Sequence, residues 1–226
     1  MEKYRILFVD EVEADIRRFQ RYVHKNDIDK HFKLIVKTPE NTLDNFLNEI
    51  SGEKFDAIIT DHKLHEENAN ISFDGLELVK AILNKKINFP CFVLTSFDDE
   101  AVADGEDVNI VYIKGLMDND AESGVNATFL DKIENQILHY RERILNSENE
   151  LLKLIEKARK QNLNATDEDR LLELDAFIEQ STNKKSTLPK SLKGTANLDA
   201  LHKMIENTDE LLERLKQNDS NHVPKL

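Results

Sequence analysis

The chain has 226 residues, 39% of them hydrophobic and 33% charged, with a formal net charge of −13, a length that suits one large domain or a domain with an appendage. No apolar run approaches the roughly 18 residues of a membrane span and no apolar stretch follows the start, so neither a membrane segment nor a secretory signal is expected and a cytoplasmic protein is expected. Residues 1–125 hold 15 Lys and Arg against 26 Asp and Glu, while residues 126–226 hold 16 against 18; the acidic first half argues against binding a phosphate backbone, so nucleic acid is not an expected partner.

The first half alternates apolar runs with amphipathic stretches. A strand is expected over Tyr4–Val9, then a helix over 13–25 with Ile16, Phe19, Tyr22 and Val23 on one face. A second strand follows at 32–36. Pro39 suits the first turn of a helix reaching Ile50, with Leu43, Phe46 and Leu47 inward. A third strand at 55–60 leads into a polar loop, 65–72, and a helix from about Asp74 that carries Leu76, Val79, Ile82 and Leu83. The fourth strand, 91–94, contains the single cysteine, Cys91, expected as a buried thiol. A short helix at 98–103 and a strand at 110–113 complete the alternation. Apolar strands alternating with amphipathic helices imply an α/β fold: a five-stranded parallel sheet, doubly wound, with helices on both faces. Right-handed crossovers and short loops favour the order 2-1-3-4-5, with the switch point between strands 1 and 3.

The second half reads as all-α. From 128 to 162, Leu130, Ile133, Ile137, Tyr140, Ile144, Ser147, Leu151, Leu154 and Ala158 alternate steps of three and four, the pattern of a heptad seam. Thr166-Asp167-Glu168-Asp169 marks a further helix start, followed by Leu171, Leu174 and Ile178. Residues 181–196 are rich in Ser, Thr and Lys, and Lys184, Lys185, Lys190 and Lys193 read as a solvated loop. A last helix, 197–217, repeats an apolar seam from Leu198 to Leu215. The expected organisation is an α/β unit over 1–125, a helical bundle or coiled-coil module, suited to dimerisation, over 126–218, and a disordered tail over 219–226.

The candidate site lies at the strand ends. Asp10 and Glu11 close the first strand and Asp61 closes the third, so a parallel sheet with those strands adjacent brings three carboxylates together. Three acids repel one another, and a hard divalent cation such as Mg²⁺, which takes oxygen ligands and needs few from the protein, makes the cluster tolerable. Thr95 ends the fourth strand and Lys114 the fifth. A carboxylate can attack phosphorus to give an acyl phosphate, and a lysine ammonium can offset the acids and neutralise phosphoryl oxygens. No GxG or phosphate-binding loop pattern is present.

Val9-Asp10-Glu11, Asp61 after a strand, Asp74-Gly75-Leu76-Glu77-Leu78, Leu94-Thr95-Ser96 and Lys114, in this order, resemble the receiver domains of two-component response regulators over roughly residues 3–118. The resemblance implies that Asp61 is the phosphoacceptor, that Asp10 and Glu11 with Asp61 bind Mg²⁺, that Thr95 is the switch hydroxyl and that Lys114 pairs with the phosphoryl group. It departs from the family at Gly115, where proline usually follows the lysine, and at Val111, where an aromatic residue usually stands and Tyr112 is displaced by one. The stretch between Asp61 and Gly75 is longer than usual. It holds His62, His65, Glu66 and Glu67 and is expected to be a flexible, solvated loop rather than a metal site.

The function these features imply is that of a response regulator, not a conventional enzyme. It takes a phosphoryl group on Asp61 from a histidine kinase or phosphotransfer protein, with Mg²⁺, and loses it to water. Its helical half would signal to an unidentified protein target or to a second copy as a homodimer. A degenerate receiver acting as a phosphorylation-independent scaffold, and a phosphate sink without output, stand as alternatives. His202 reads as a surface histidine rather than a phosphotransfer group.

Overall fold

Runs rich in Ile, Leu, Val and Phe, bounded by polar residues, form the strands of a computed structural model that describes residues 3–27, 29–65, 68–96, 111–115, 128–161 and 163–182. The elements are β1 (Tyr4–Val9), α1 (Glu13–Asn26), β2 (Phe32–Lys37), α2 (Leu43–Ile50), β3 (Ala57–Asp61), α3 (Gly75–Lys85), β4 (Cys91–Thr95), β5 (Val111–Ile113), α4 (Phe129–Lys160) and α5 (Ala165–Thr182). All strand pairs are parallel, in the order β2-β1-β3-β4 with the short β5 beside β4. The expected helix at 98–103, the helix at 197–217, most of the 181–196 loop and the tail lie outside the described residues.

Alternation along the strands sends successive side chains to opposite faces. Leu7, Val9, Ile58, Cys91 and Val93 meet α2 and α3, while Ile6, Phe8, Ala57, Ile59, Phe92 and Leu94 meet α1. Cys91 is a buried thiol, and burial pushes its pKa up. Local signals start several helices. Asp74 and Glu77 form a capping box at α3, and Thr128 and Asp131 form another at α4, each satisfying two otherwise unpaired backbone donors. The helix expected from Pro39 begins later, at Leu43. Thr42 caps it by accepting from the Asn45 N–H, and Asn41 before it is held outside the helix, its carbonyl accepting from both the N–H and the hydroxyl of Ser72.

Two expectations need correction. The loop after Asp61 is anchored at its ends, although His65, Asn68, Ala69, Asn70 and Ser72 within it are exposed as expected. Leu64, Ile71 and Phe73 are buried in the same core cluster as α2 and α3, with Phe73 against the Phe46 ring. The first turns of the long helix are not coiled-coil seam. Phe129, Leu130, Ile133 and Ile137 are buried beside α1 in the second core cluster, and Phe129 N–H donates to the Tyr22 hydroxyl at 3.0 Å.

Beyond them α4 runs on; its 32 residues span about 48 Å at 1.5 Å per residue. It is flanked by α5 running antiparallel. Lys157 pairs with Asp167, Arg170 pairs with Glu150 at 2.8 Å, Arg143 stacks on the Phe177 ring, and the Tyr140 hydroxyl donates to the Ser181 carbonyl at 2.6 Å. The end of α5 also reaches the α3–β4 turn, where Ile87 N–H donates to the Gln180 carbonyl. Among the described residues no helix is long and apolar enough to cross a membrane.

Candidate functional site

The carboxyl-terminal edge of the sheet gathers the site by register. Val9 pairs with Thr60, so the next residues, Asp10 and Asp61, emerge side by side; Thr95 pairs with Ile113, so Lys114 emerges beside them. Lys114 N–H donates to the Thr95 carbonyl at 2.7 Å, which extends the β4–β5 ladder to the lysine itself. Asp10, Asp61, Thr95 and Lys114 are all buried, and Glu11 is half-buried.

The acids converge as expected. Ligand oxygens of Asp10, Glu11 and Asp61 lie within 4.8 Å of one another. Lys114 Nζ stands 2.6 Å from Asp61 Oδ1 and 3.9 Å from Asp10 Oδ2. The other oxygen of Asp61 accepts from the Lys63 N–H at 2.9 Å, and Asp10 Oδ1 accepts from the Val12 N–H at 2.9 Å. Asp10 Oδ2 is buried and accepts no hydrogen bond.

Electrostatics follow from this crowding. Burial raises the Asp10 pKa to about 7; the Val12 hydrogen bond opposes the rise, the neighbouring charges of Asp61 and Asp15 add to it, and Lys114 reduces it. Burial works against the Lys114 ammonium, but its hydrogen bonds to Asp15 and Asp61, with the charges of Asp61 and Asp10, outweigh that and raise its pKa. Lys114 therefore remains a cation in the site.

The donor set fits a hard divalent cation. It is made of carboxylate oxygens alone, it is compact, and the buried Oδ2 of Asp10 accepts no hydrogen bond. Asp10, Glu11 and Asp61 are the residues that would hold such an ion.

Three features escaped the sequence reading. Asp15, in the first turn of α1, binds Lys114 at 2.5 Å; an acid there signals only a helix start. Gly75 is required by a close approach, since a Cβ built on it would lie 2.0 Å from the Asp61 carbonyl oxygen. Its N–H donates to the His62 carbonyl, whose own N–H donates to Leu94, so β4 and the start of α3 grip the chain just past Asp61. His62 is thereby buried instead of lying in a solvated loop, and its Nδ1 makes no hydrogen bond. The side chains of Val111 and Tyr112 and the path beyond Gly115 lie outside the described residues.

No family model and no curated protein matches the sequence. Among solved structures the chain is similar to the non-phosphorylated receiver domain of the stress response regulator RcsB from Escherichia coli, with 14% identity, 52% of this chain and 87% of that one covered, and a TM-score of 0.40. It is also similar to the bacteriophytochrome response regulator AtBRR (18% identity, 61% and 94% covered, TM-score 0.42) and to the Salmonella typhimurium response regulator RcsB (15%, 83% and 91%, TM-score 0.41). The fold itself has parallel strands in the order 2-1-3-4, helices on both faces, and acids at the switch point between β1 and β3.

Proposed function

We propose that the chain is a response regulator whose Asp61 accepts a phosphoryl group from a histidine kinase or phosphotransfer protein in a Mg²⁺-dependent reaction. The observation that carries this reading is the Asp61 carboxylate itself. It sits at a strand end, bound to a buried ammonium at 2.6 Å and within 4.8 Å of the carboxylate oxygens of Asp10 and Glu11.

The chemistry follows from these groups. An Asp61 oxygen attacks phosphorus as the P–N bond of a phosphohistidine breaks, and the bonding pair leaves with the imidazole nitrogen. Lys114 then pairs with a phosphoryl oxygen, as it already pairs with Asp61. The Thr95 hydroxyl, at the end of the neighbouring strand, donates to phosphoryl oxygens that exist only after transfer, which makes it a sensor. A bound divalent cation would supply neutralisation of charge on the transferring oxygens. Water later attacks phosphorus, the bond to Asp61 breaks, and the carboxylate and orthophosphate are released.

In this reading the receiver-like unit includes the first turns of α4, and the remaining helical part is the output or dimerisation module of a cytoplasmic protein. Leu138, Leu145 and Leu152 stand seven residues apart on α4 and are 44–57% exposed, which supports a second copy as a partner. Intact-mass measurement after incubation with acetyl phosphate and Mg²⁺ tests the central point. One added phosphoryl group is expected, absent in Asp61→Asn; a wild type that stays unmodified leaves the scaffold reading in its place.

A further inference from the structure

Asp15 has no part in the chemistry just described, yet it pairs directly with Lys114. Its Oδ2 lies 2.5 Å from Lys114 Nζ, against 2.6 Å for Asp61 Oδ1 and 3.9 Å for Asp10 Oδ2. The ammonium is thus divided between the phosphoacceptor and a carboxylate outside the compact acid group of Asp10, Glu11 and Asp61. α1 holds Asp15 in place. That helix packs through Ile16 and Phe19, the residue after Asp15 and one turn on, and Phe19 stacks on Phe8 of β1 at 4.4 Å.

We propose that Asp15 is a positioning residue that acts through Lys114: it cancels the ammonium's charge and restrains it, which slows phosphorylation of Asp61 and strengthens the hold on a divalent cation. The first consequence rests on the reading of Asp61 as phosphoacceptor, and the second does not. With Asp15 ionised, the lysine and Asp15 together carry no net charge. Three carboxylates then face an incoming phosphodonor that is itself an anion. Removing the Asp15 charge restores one positive charge beside Asp61. An anionic donor is then attracted and a cation repelled. A freed ammonium can also follow the new phosphoryl oxygens, which a lysine tied to α1 does less well. No bond to Asp15 forms or breaks in the transfer.

The two effects have opposite signs, which separates charge from damage: a distorted site loses both cation binding and phosphoryl transfer. The test uses the full chain as wild type, Asp15→Asn and Asp15→Glu. Mg²⁺ affinity is measured by titration calorimetry without phosphodonor, and the rate of mass gain is followed with acetyl phosphate at saturating Mg²⁺. Asp15→Asn is expected to bind Mg²⁺ several-fold more weakly and to be phosphorylated about tenfold faster, with Asp15→Glu returning both towards wild type. Unchanged values, or both falling together, overturn the proposal. If wild type takes no phosphoryl group the proposed function fails, and the Mg²⁺ titration alone decides: a several-fold loss in Asp15→Asn that Asp15→Glu reverses sustains the role of Asp15, and an Asp15→Asn affinity equal to wild type, or a loss that Asp15→Glu shares, refutes it.

Discussion

Replacing Asp10 by Asn should stabilise the protein in neutral and mildly alkaline solution while removing an acid from the site. Asp10 is wholly buried and its pKa is raised to about 7 from an ordinary 3.8. The folded chain therefore holds this proton more tightly than the unfolded chain does. Stability is greatest below the unfolded value, falls as pH rises between the two values, and levels off above the folded one. The gap of about three pH units corresponds to about 4 kcal/mol at 1.36 kcal/mol per unit. Asn is neutral throughout and keeps the oxygen that accepts from the Val12 N–H. It gives up the attraction to Lys114 at 3.9 Å, so a net gain of about 2–4 kcal/mol is expected near pH 8. In urea that is a midpoint shift of about 1–2 M for a slope of about 2 kcal/mol per M. Unfolding followed by circular dichroism at about pH 5 and about pH 8 in a chelator should show the gain shrinking towards the acid end. Added Mg²⁺ should narrow it by binding folded wild type. A variant no more stable than wild type at the alkaline end, or a gain independent of pH, refutes the account of a buried, uncompensated carboxylate.

Other perturbations probe the frame around the site. Gly75→Ala drives a methyl group into the Asp61 carbonyl, 2.0 Å from the built Cβ; a loss of about 3 kcal/mol in thermal or urea unfolding is expected, with slower phosphorylation because the chain past Asp61 must shift. A chain ending after Ser147 should retain the cooperative unfolding of the sheet, and one ending at Val125 should not, because Phe129, Leu130, Ile133 and Ile137 then leave the core. Within the full chain, Ile137→Asp should cost about 3 kcal/mol or more, whereas Leu152→Asp, more than half exposed, should leave unfolding of the sheet unchanged and disrupt any dimer seen by light scattering.

The acid cluster was legible because its geometry needs only secondary structure and strand order. Asp10, Asp61, Thr95 and Lys114 each close or follow an apolar strand, and parallel pairing places such ends at one edge whatever the helices do. The start of a helix near Asp74 was local in the same sense. What only the tertiary structure decided depends on how distant surfaces dock. Asp15 and Lys114 are 99 residues apart, and their contact is set by the seating of α1 on the sheet, which no spacing encodes. Leu64, Ile71 and Phe73 lie among polar residues, and only the space beside α2 and α3 makes them core. The apolar seam of α4 shows the same limit. Leu130, Ile133 and Ile137 share a periodicity with Leu151 and Leu154, since a helix displays the same stripe to a sheet as to another helix. Which partner each turn meets is decided where α4 leaves the edge of the sheet.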